Sequence, residues 1–402
     1  MIGSDPGRVP SGVARDNWQL PVHLQWSFQH VAEIVPTATI SRGTGPVARL
    51  ASAPSSIGEV RVPHLRGHGH PHLDDRRTVA EIMASSDTDG WMLAHKGVVL
   101  AEEYTGDTAP GSLHLLMSVS KSLVSAVVGA LVGSGQLDVA APLTTYVPAL
   151  VSSGYAGATV RHVLDMRSGI LFSEDYLDPN AHVRVLEEAI DWAPRRSSDV
   201  PATMYDYLLT LEQKRPHGGP FEYRSCETDV LGWICEAASG ARMPELMSDL
   251  LWSRLGAEHD ANIGVDSVGT GMFDGGISAS LRDLVRFGAL LLAEGASLTG
   301  VQVVPAWWIA DTFDGGADSR EAFAQSPGQT LMPGGMYRNQ FWFPSSDPDV
   351  ALCLGIHGQM IYVNRRAQVV AAKVSSWPTP QDPDKLFSTL HAFDAISNAL
   401  AV

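Results

Sequence analysis

The sequence predicts a mixed α/β protein: an antiparallel sheet drawn from both chain ends and flanked by helices, with an all-α region inserted between the halves. Short apolar runs separated by turn residues occur early, at 90–104, and again late, at 339–376. The intervening 140–265 stretch reads as helices and loops. Between the first strands and that stretch lies LLMSVSKSLVSAVVGALVGSG (115–135), a segment apolar around its whole circumference, as a buried helix is.

Taken in order, residues 1–60 are rich in Pro, Gly and Ser and are expected to wrap as an irregular arm, and 63–77 forms a polar loop. GWMLAHKGVVLAEEY (90–104) sets two apolar strands around a His-Lys-Gly turn, a hairpin signature. After the apolar helix, RHVLDM, ATMYDYLLTLEQ, ETDVLGWICEAAS and MPELMSDLLWSRL supply helices. A further helix starts at the N-cap Ser280 and stops at Gly295. Beyond a loop near 315–337, NQFWFP, VALCLGIHG, QMIYVN and AQVVAAKVSS supply strands, with NRRA in a hairpin turn, and a helix over about 383–400 closes the chain. These elements divide the chain into a sheet region, 1–140 with 266–402, and a helical region, 141–265.

With 402 residues, 45% of them apolar and 18% charged, the chain can bury a large core. A formal charge of −16 argues against partners that are nucleic acid or anionic lipid. Cys226, Cys235 and Cys353 are too scattered for a disulfide framework or a zinc site. The first residues lack the basic start and apolar run of a signal peptide, and Gly133 and Gly135 interrupt the longest apolar run, so a soluble cytoplasmic protein is expected. No cofactor is called for.

The one charge inside the apolar helix is Lys121, in a chain with only five lysines, and Ser118 lies three residues before it. On a helix those positions share a face one turn apart. A serine hydroxyl attacks only when a neighbouring base takes its proton. A lysine is such a base when burial depresses its pKa, whereas an arginine there could not release its proton. The sequence therefore predicts a neutral Lys121 beside Ser118, at a helix N-terminus whose N–H groups favour an oxyanion. A capping serine with a snorkelling lysine is the plainer alternative.

Other segments tilt the choice. HVLDMRSGI (162–170), GGPFEYRSCETDVLGWICEAASG (218–240), GGISASLRDLVRFGALLLAEG (275–295) and CLGIHGQ (353–359) follow in an order that resembles the serine β-lactamase and penicillin-recognising superfamily, in its class C and esterase branch. Arg167 stands where that branch has histidine, Ser225 replaces the asparagine of Y-x-N, and K-T-G is missing. DNWQLPVHLQWSFQHVAEIVP, SEDYLDP and KVSSWPTP extend a similarity to the nylon-oligomer hydrolases of the superfamily over nearly the whole chain.

The resemblance implies a β-lactamase-like fold, Ser118 as nucleophile, Lys121 as its base and Tyr223 as proton relay to the leaving group. It implies an oxyanion hole from the backbone N–H groups of Ser118 and Ile356, and homodimerisation. It also implies that Tyr176 closes over the scissile bond and that Glu187, with Glu188 beside it, pairs with a substrate ammonium. Asp274 and His357 are expected at the pocket, although a histidine on an apolar strand also fits a core position. The partner is then a small linear amide such as an aminohexanoate oligomer, with short acyl esters the runner-up and penicillin or peptidoglycan third. Two readings of other classes compete: a ligand-binding pseudo-hydrolase, and a metallohydrolase using His70, His72 and Asp74 of HGHPHLDD.

Overall fold

We describe the protein from a computed structural model that covers residues 12–62, 76–345 and 347–401. The His70, His72 and Asp74 loop lies outside the described residues.

The main sheet has eight strands: β2 (Ala51–Ser52), β3 (Thr88–His95), β4 (Val98–Tyr104), β8 (Met336–Arg338), β9 (Phe341–Phe343), β10 (Val350–Gly355), β11 (Gln359–Asn364) and β12 (Val369–Ser375). A second sheet holds β1 (Thr37–Ile40), β5 (Leu113–Leu115), β6 (Ala261–Gly264) and β7 (Ile277–Ser280). The main sheet runs in the order β2-β4-β3-β12-β11-β10-β9-β8 and is antiparallel except where β2 meets β4. The expected sheet from both chain ends is therefore realised where β3 pairs with β12, Lys373 opposite Trp91. The His-Lys-Gly turn forms as expected: Lys96 (φ +50°) and Gly97 (φ +78°) take the paired left-handed conformation that matches strand twist.

Side chains alternate across each strand, which splits the core in two. Met92, Ala94, Ile361, Val363 and Val370 join one apolar cluster with Leu284 and Val285 of the Leu281–Leu292 helix. Trp91, Leu93, Tyr362, Val369 and Ala371 join another with Val79, Phe387 and Ile396 of the Val79–Ser85 and Pro383–Leu400 helices. Helices thus cover both faces, which explains why β3 is apolar without alternation. Ser280 caps the Leu281–Leu292 helix, its hydroxyl accepting from the Asp283 N–H.

Two expectations are corrected. The N-terminal arm is not merely irregular, because β1 pairs with β6 and Trp18, Leu24 and Phe28 are buried in the core. The 315–337 loop contains the helices Ser319–Ala324 and Gly328–Leu331 and the start of β8; these are shorter than any periodicity can reveal.

The apolar helix runs Val119–Gly133, with Val119 to Gly129 buried throughout. Two of its buried serines have partners: Ser120 Oγ accepts from the Ile277 N–H at 3.2 Å, and Ser122 Oγ donates to the Gln340 carbonyl at 2.8 Å. Among the described residues no helix is long and apolar enough to cross a membrane.

Candidate active site

Strand β5 leads into the site. Its hydrogen-bonded path continues as Leu116 N–H donates to the Ile277 carbonyl at 2.8 Å. Met117 then takes φ +46°, an uncommon conformation for a side-chain-bearing residue, and turns Ser118 onto the head of the buried helix. Lys121 Nζ donates to Ser118 Oγ at 2.9 Å, to Ser225 Oγ at 3.1 Å and to the Asp274 carbonyl at 2.7 Å. It also lies 5.2 Å from the centre of the Tyr223 ring. The Tyr223 hydroxyl interacts with both Ser118 and Lys121. Its ring stacks on Trp342 with centroids 5.3 Å apart.

Ser118, Tyr223, Tyr176 and Ile356 face one cavity of about 290 Å³. Its far wall is apolar, formed by Leu331, Met332, Trp342, Met360, Trp377 and Leu386. Gly355, at the end of β10, is pressed against Ser118. A Cβ there would lie 2.6 Å from the Leu116 carbonyl oxygen and 3.1 Å from the Ser118 nitrogen. That contact sets the Ile356 backbone beside Ser118. Among the described residues neither of these two N–H groups makes a backbone hydrogen bond, so both are available to an incoming oxygen.

Glu174 was missed in the sequence and ties this site together. It accepts from the Tyr176 hydroxyl at 2.7 Å, from Ser225 Oγ at 2.5 Å and from the Ser225 N–H at 3.1 Å. The available signal was its position two residues before Tyr176, which on an extended chain puts both side chains on one side. Burial pushes the Glu174 carboxyl up, opposed by Lys121 and these hydrogen bonds. Burial also raises the phenol of Tyr223, against the pull of Lys121, and carries that of Tyr176 well above its ordinary value.

Lys121 itself corrects the prediction. Burial acts to lower its pKa, but Tyr223, Asp274, Glu174 and Asp229 together outweigh it and raise the value above that of an exposed lysine. The sequence shows that the helix is apolar; it does not show three carboxyl groups folding around the amine. At neutral pH Lys121 is an ammonium.

Four further residues stand elsewhere than expected. Asp274 lies behind Lys121 rather than in the cavity, with its carboxylate Oδ2 3.6 Å from Nζ. His357 turns away from the cavity: its ring packs edge-on against Phe28 at 5.4 Å and its Nδ1 bonds the Trp377 carbonyl at 2.6 Å. Burial drives it down to about 4, so it is a neutral core histidine. Glu187 is committed to Arg184, which donates to both its oxygens at 2.8 Å, and Glu188 is paired with Arg196. Both acids border a separate depression that touches the site only through Tyr176.

The family model for β-lactamase matches residues 76–392. The chain belongs to the β-lactamase family. This β-lactamase-family hydrolase is 38% identical to a 6-aminohexanoate-dimer hydrolase of Paenarthrobacter ureafaciens over 389 residues, which cover 94% of this chain and 93% of that one. Among solved structures, a Bacillus anthracis protein provisionally assigned as a 6-aminohexanoate-dimer hydrolase superposes with a TM-score of 0.87 at 24% identity, covering 98% and 99% of the two chains. A family VIII carboxylesterase superposes with a TM-score of 0.60 at 15% identity, covering 79% and 95%. Within the β-lactamase family's layout, two unusual positions have clear roles here. Arg167 forks onto Asp318 at 2.9 and 2.8 Å, and Ser225 joins Lys121 to Glu174.

Proposed function

We propose that this hydrolase cleaves small linear amides through an acyl-enzyme on Ser118. The observation that carries the reading is the 2.9 Å contact of Lys121 Nζ with Ser118 Oγ, on the floor of a cavity that two phenols overhang. Lys121 and Tyr223 share the serine hydroxyl and titrate as a pair; the reactive enzyme is the form in which the pair has lost one proton. That form takes the Ser118 proton as Oγ attacks the carbonyl carbon. The oxyanion forms against the N–H groups of Ser118 and Ile356. Tyr223 passes the proton to the departing nitrogen, which an amide requires because a free amide anion is too poor a leaving group. The Tyr176 oxygen accepts the amide N–H while its own O–H donates to Glu174, so the nitrogen is oriented towards Tyr223. Water then repeats the sequence on the acyl-enzyme.

The apolar wall suits an oligomethylene chain, and the similarity to a protein named 6-aminohexanoate-dimer hydrolase supports that substrate class. One observation favours a second reading, short acyl esters: the acid expected to select a free amino end, Glu187, is already neutralised by Arg184.

Intact mass after treatment with a serine-directed phosphonate, with mapping of the labelled peptide, tests the central claim. A single adduct on Ser118, absent in Ser118→Ala, is expected; no adduct on Ser118 would sink it. Tyr176→Phe separates the substrate readings. Amide turnover is expected to fall at least about tenfold more than turnover of a matched p-nitrophenyl ester; equal losses would count against the amide role of Tyr176.

A further inference from the structure

The mechanism uses one side of Lys121, and two carboxyl groups occupy the other. Asp274, in the turn before β7, offers Lys121 its carbonyl at 2.7 Å and its carboxylate Oδ2 at 3.6 Å. Asp229, on the Cys226–Ser239 helix, accepts the N–H groups of Phe273 and Asp274 through Oδ1 at 3.0 and 3.1 Å. Both are buried, 0% exposed for Asp229 and 3% for Asp274. Each keeps one oxygen, Asp229 Oδ2 and Asp274 Oδ1, without a hydrogen-bond partner among the described residues.

Two ionised carboxylates here would leave two buried acceptors without a donor among the described residues and more negative charge than one ammonium offsets. A single proton relieves the excess charge. It turns one orphan acceptor into a donor and leaves the pair with one negative charge opposite one positive charge. The proton belongs on Asp229, because Asp274 is the member that faces the ammonium. Burial and the neighbouring Asp274 both push the Asp229 carboxyl well above its ordinary value, which agrees with that placement.

We propose that Asp229 and Asp274 share one proton and act as a positioning pair for Lys121, fixing its charge and thereby the pH at which Ser118 becomes nucleophilic. The proposal rests on the Ser118–Lys121 reading above. The other groups facing Lys121 are Ser118 on its own helix, Glu174 on the loop before Tyr176, and Tyr223 and Ser225 at the entry to the Cys226–Ser239 helix. Glu174 is bound by three donors from Tyr176 and Ser225, so Asp274 is the carboxylate whose charge is left to Lys121.

The test is the pH dependence of phosphonate labelling of Ser118 in the full chain. Asp274→Asn removes the counter-charge, which lowers the pKa of the Lys121–Tyr223 pair whichever member carries the missing proton. The acid limb is expected to move down by at least about 1 pH unit. Asp229→Asn replaces a neutral acid by a neutral amide that can still donate, and is expected to leave the limb where it is. An independent readout is the infrared difference between wild type and Asp229→Asn at pH 8, which should contain the carbonyl band of one protonated carboxyl group. An unmoved limb in Asp274→Asn, an equal shift in both variants, or no such band would each overturn the proposal. If Asp274→Asn does not fold, the infrared band and the Asp229→Asn limb decide it. Absence of any Ser118 adduct would instead overturn the parent reading.

Discussion

At the residue scale the site is built from contacts that leave little slack. Gly355 is the sharpest case. An added methyl would meet the Leu116 carbonyl oxygen at 2.6 Å and the Ser118 nitrogen at 3.1 Å. Those atoms are backbone and cannot swing aside. Gly355→Ala should therefore separate Ser118 from Ile356 and spoil the pair of N–H donors proposed for the oxyanion. Ester kcat is expected to fall about a hundredfold or more, in line with the loss of one such donor, while KM and the far-ultraviolet spectrum change little. A variant with wild-type kcat would mean that the oxyanion is held elsewhere. Ser225 teaches a related lesson. A hydroxyl has one proton to give, and here it goes to Glu174 while the oxygen accepts from Lys121, so the serine makes a bridge.

At the element scale the buried helix Val119–Gly133 is the pivot between the sheet and the helices around it. It packs closely at Gly129, where a Cβ would lie 2.7 Å from two atoms of the Trp308 indole. Trp308 is itself 1% exposed, on the Ala306–Asp314 helix, so the ring has no room to retreat. Gly129→Ala gains helix propensity but overpacks this contact, and a net loss of about 1–3 kcal/mol is expected. Urea unfolding measures it; a stabilised variant would show that the two helices can move apart freely. In the same close packing Ser122 finds its partner in a specific neighbour, the Gln340 carbonyl.

At the scale of the whole molecule, buried charge shapes the pH dependence of stability. Lys373 on β12 is fully buried, donating to the Ser86 carbonyl at 3.3 Å and to Ser375 Oγ, with the Trp377 ring 5.1 Å away. Burial pushes it down to about 7 from an ordinary 10.5, with Asp89 and Asp87 opposing. Between those values the unfolded chain binds a proton at this site that the folded chain does not. Stability from this group therefore rises with pH from about 7 to 10.5, and is flat below 7 where both states are charged. Lys373→Met should remove that rise, so its stability relative to wild type should be greatest at pH 7 and shrink towards pH 10. Urea titrations at the two pH values check this; a difference independent of pH would mean that Lys373 is charged in the fold.

Much of the architecture follows from local pattern. The hairpin at 88–104, the four C-terminal strands β9 to β12, the Ser280 cap and the terminal helix all follow from periodicity and turn chemistry acting over a few residues. The Ser118–Lys121 pair is legible for the same reason, since helical spacing alone brings i and i+3 together. The four-stranded sheet is not, because β1, β5, β6 and β7 are three or four residues each and β1 meets β6 across more than two hundred positions of chain. Nor is the charge of Lys121. Its charge is balanced by Glu174 and Asp274, which come from two separate segments. The sequence by itself determined that an amine would lie beside a serine in an apolar helix. Only the tertiary structure decided that the amine is charged, because an ionisation state is set by the summed field of groups that folding alone brings within reach.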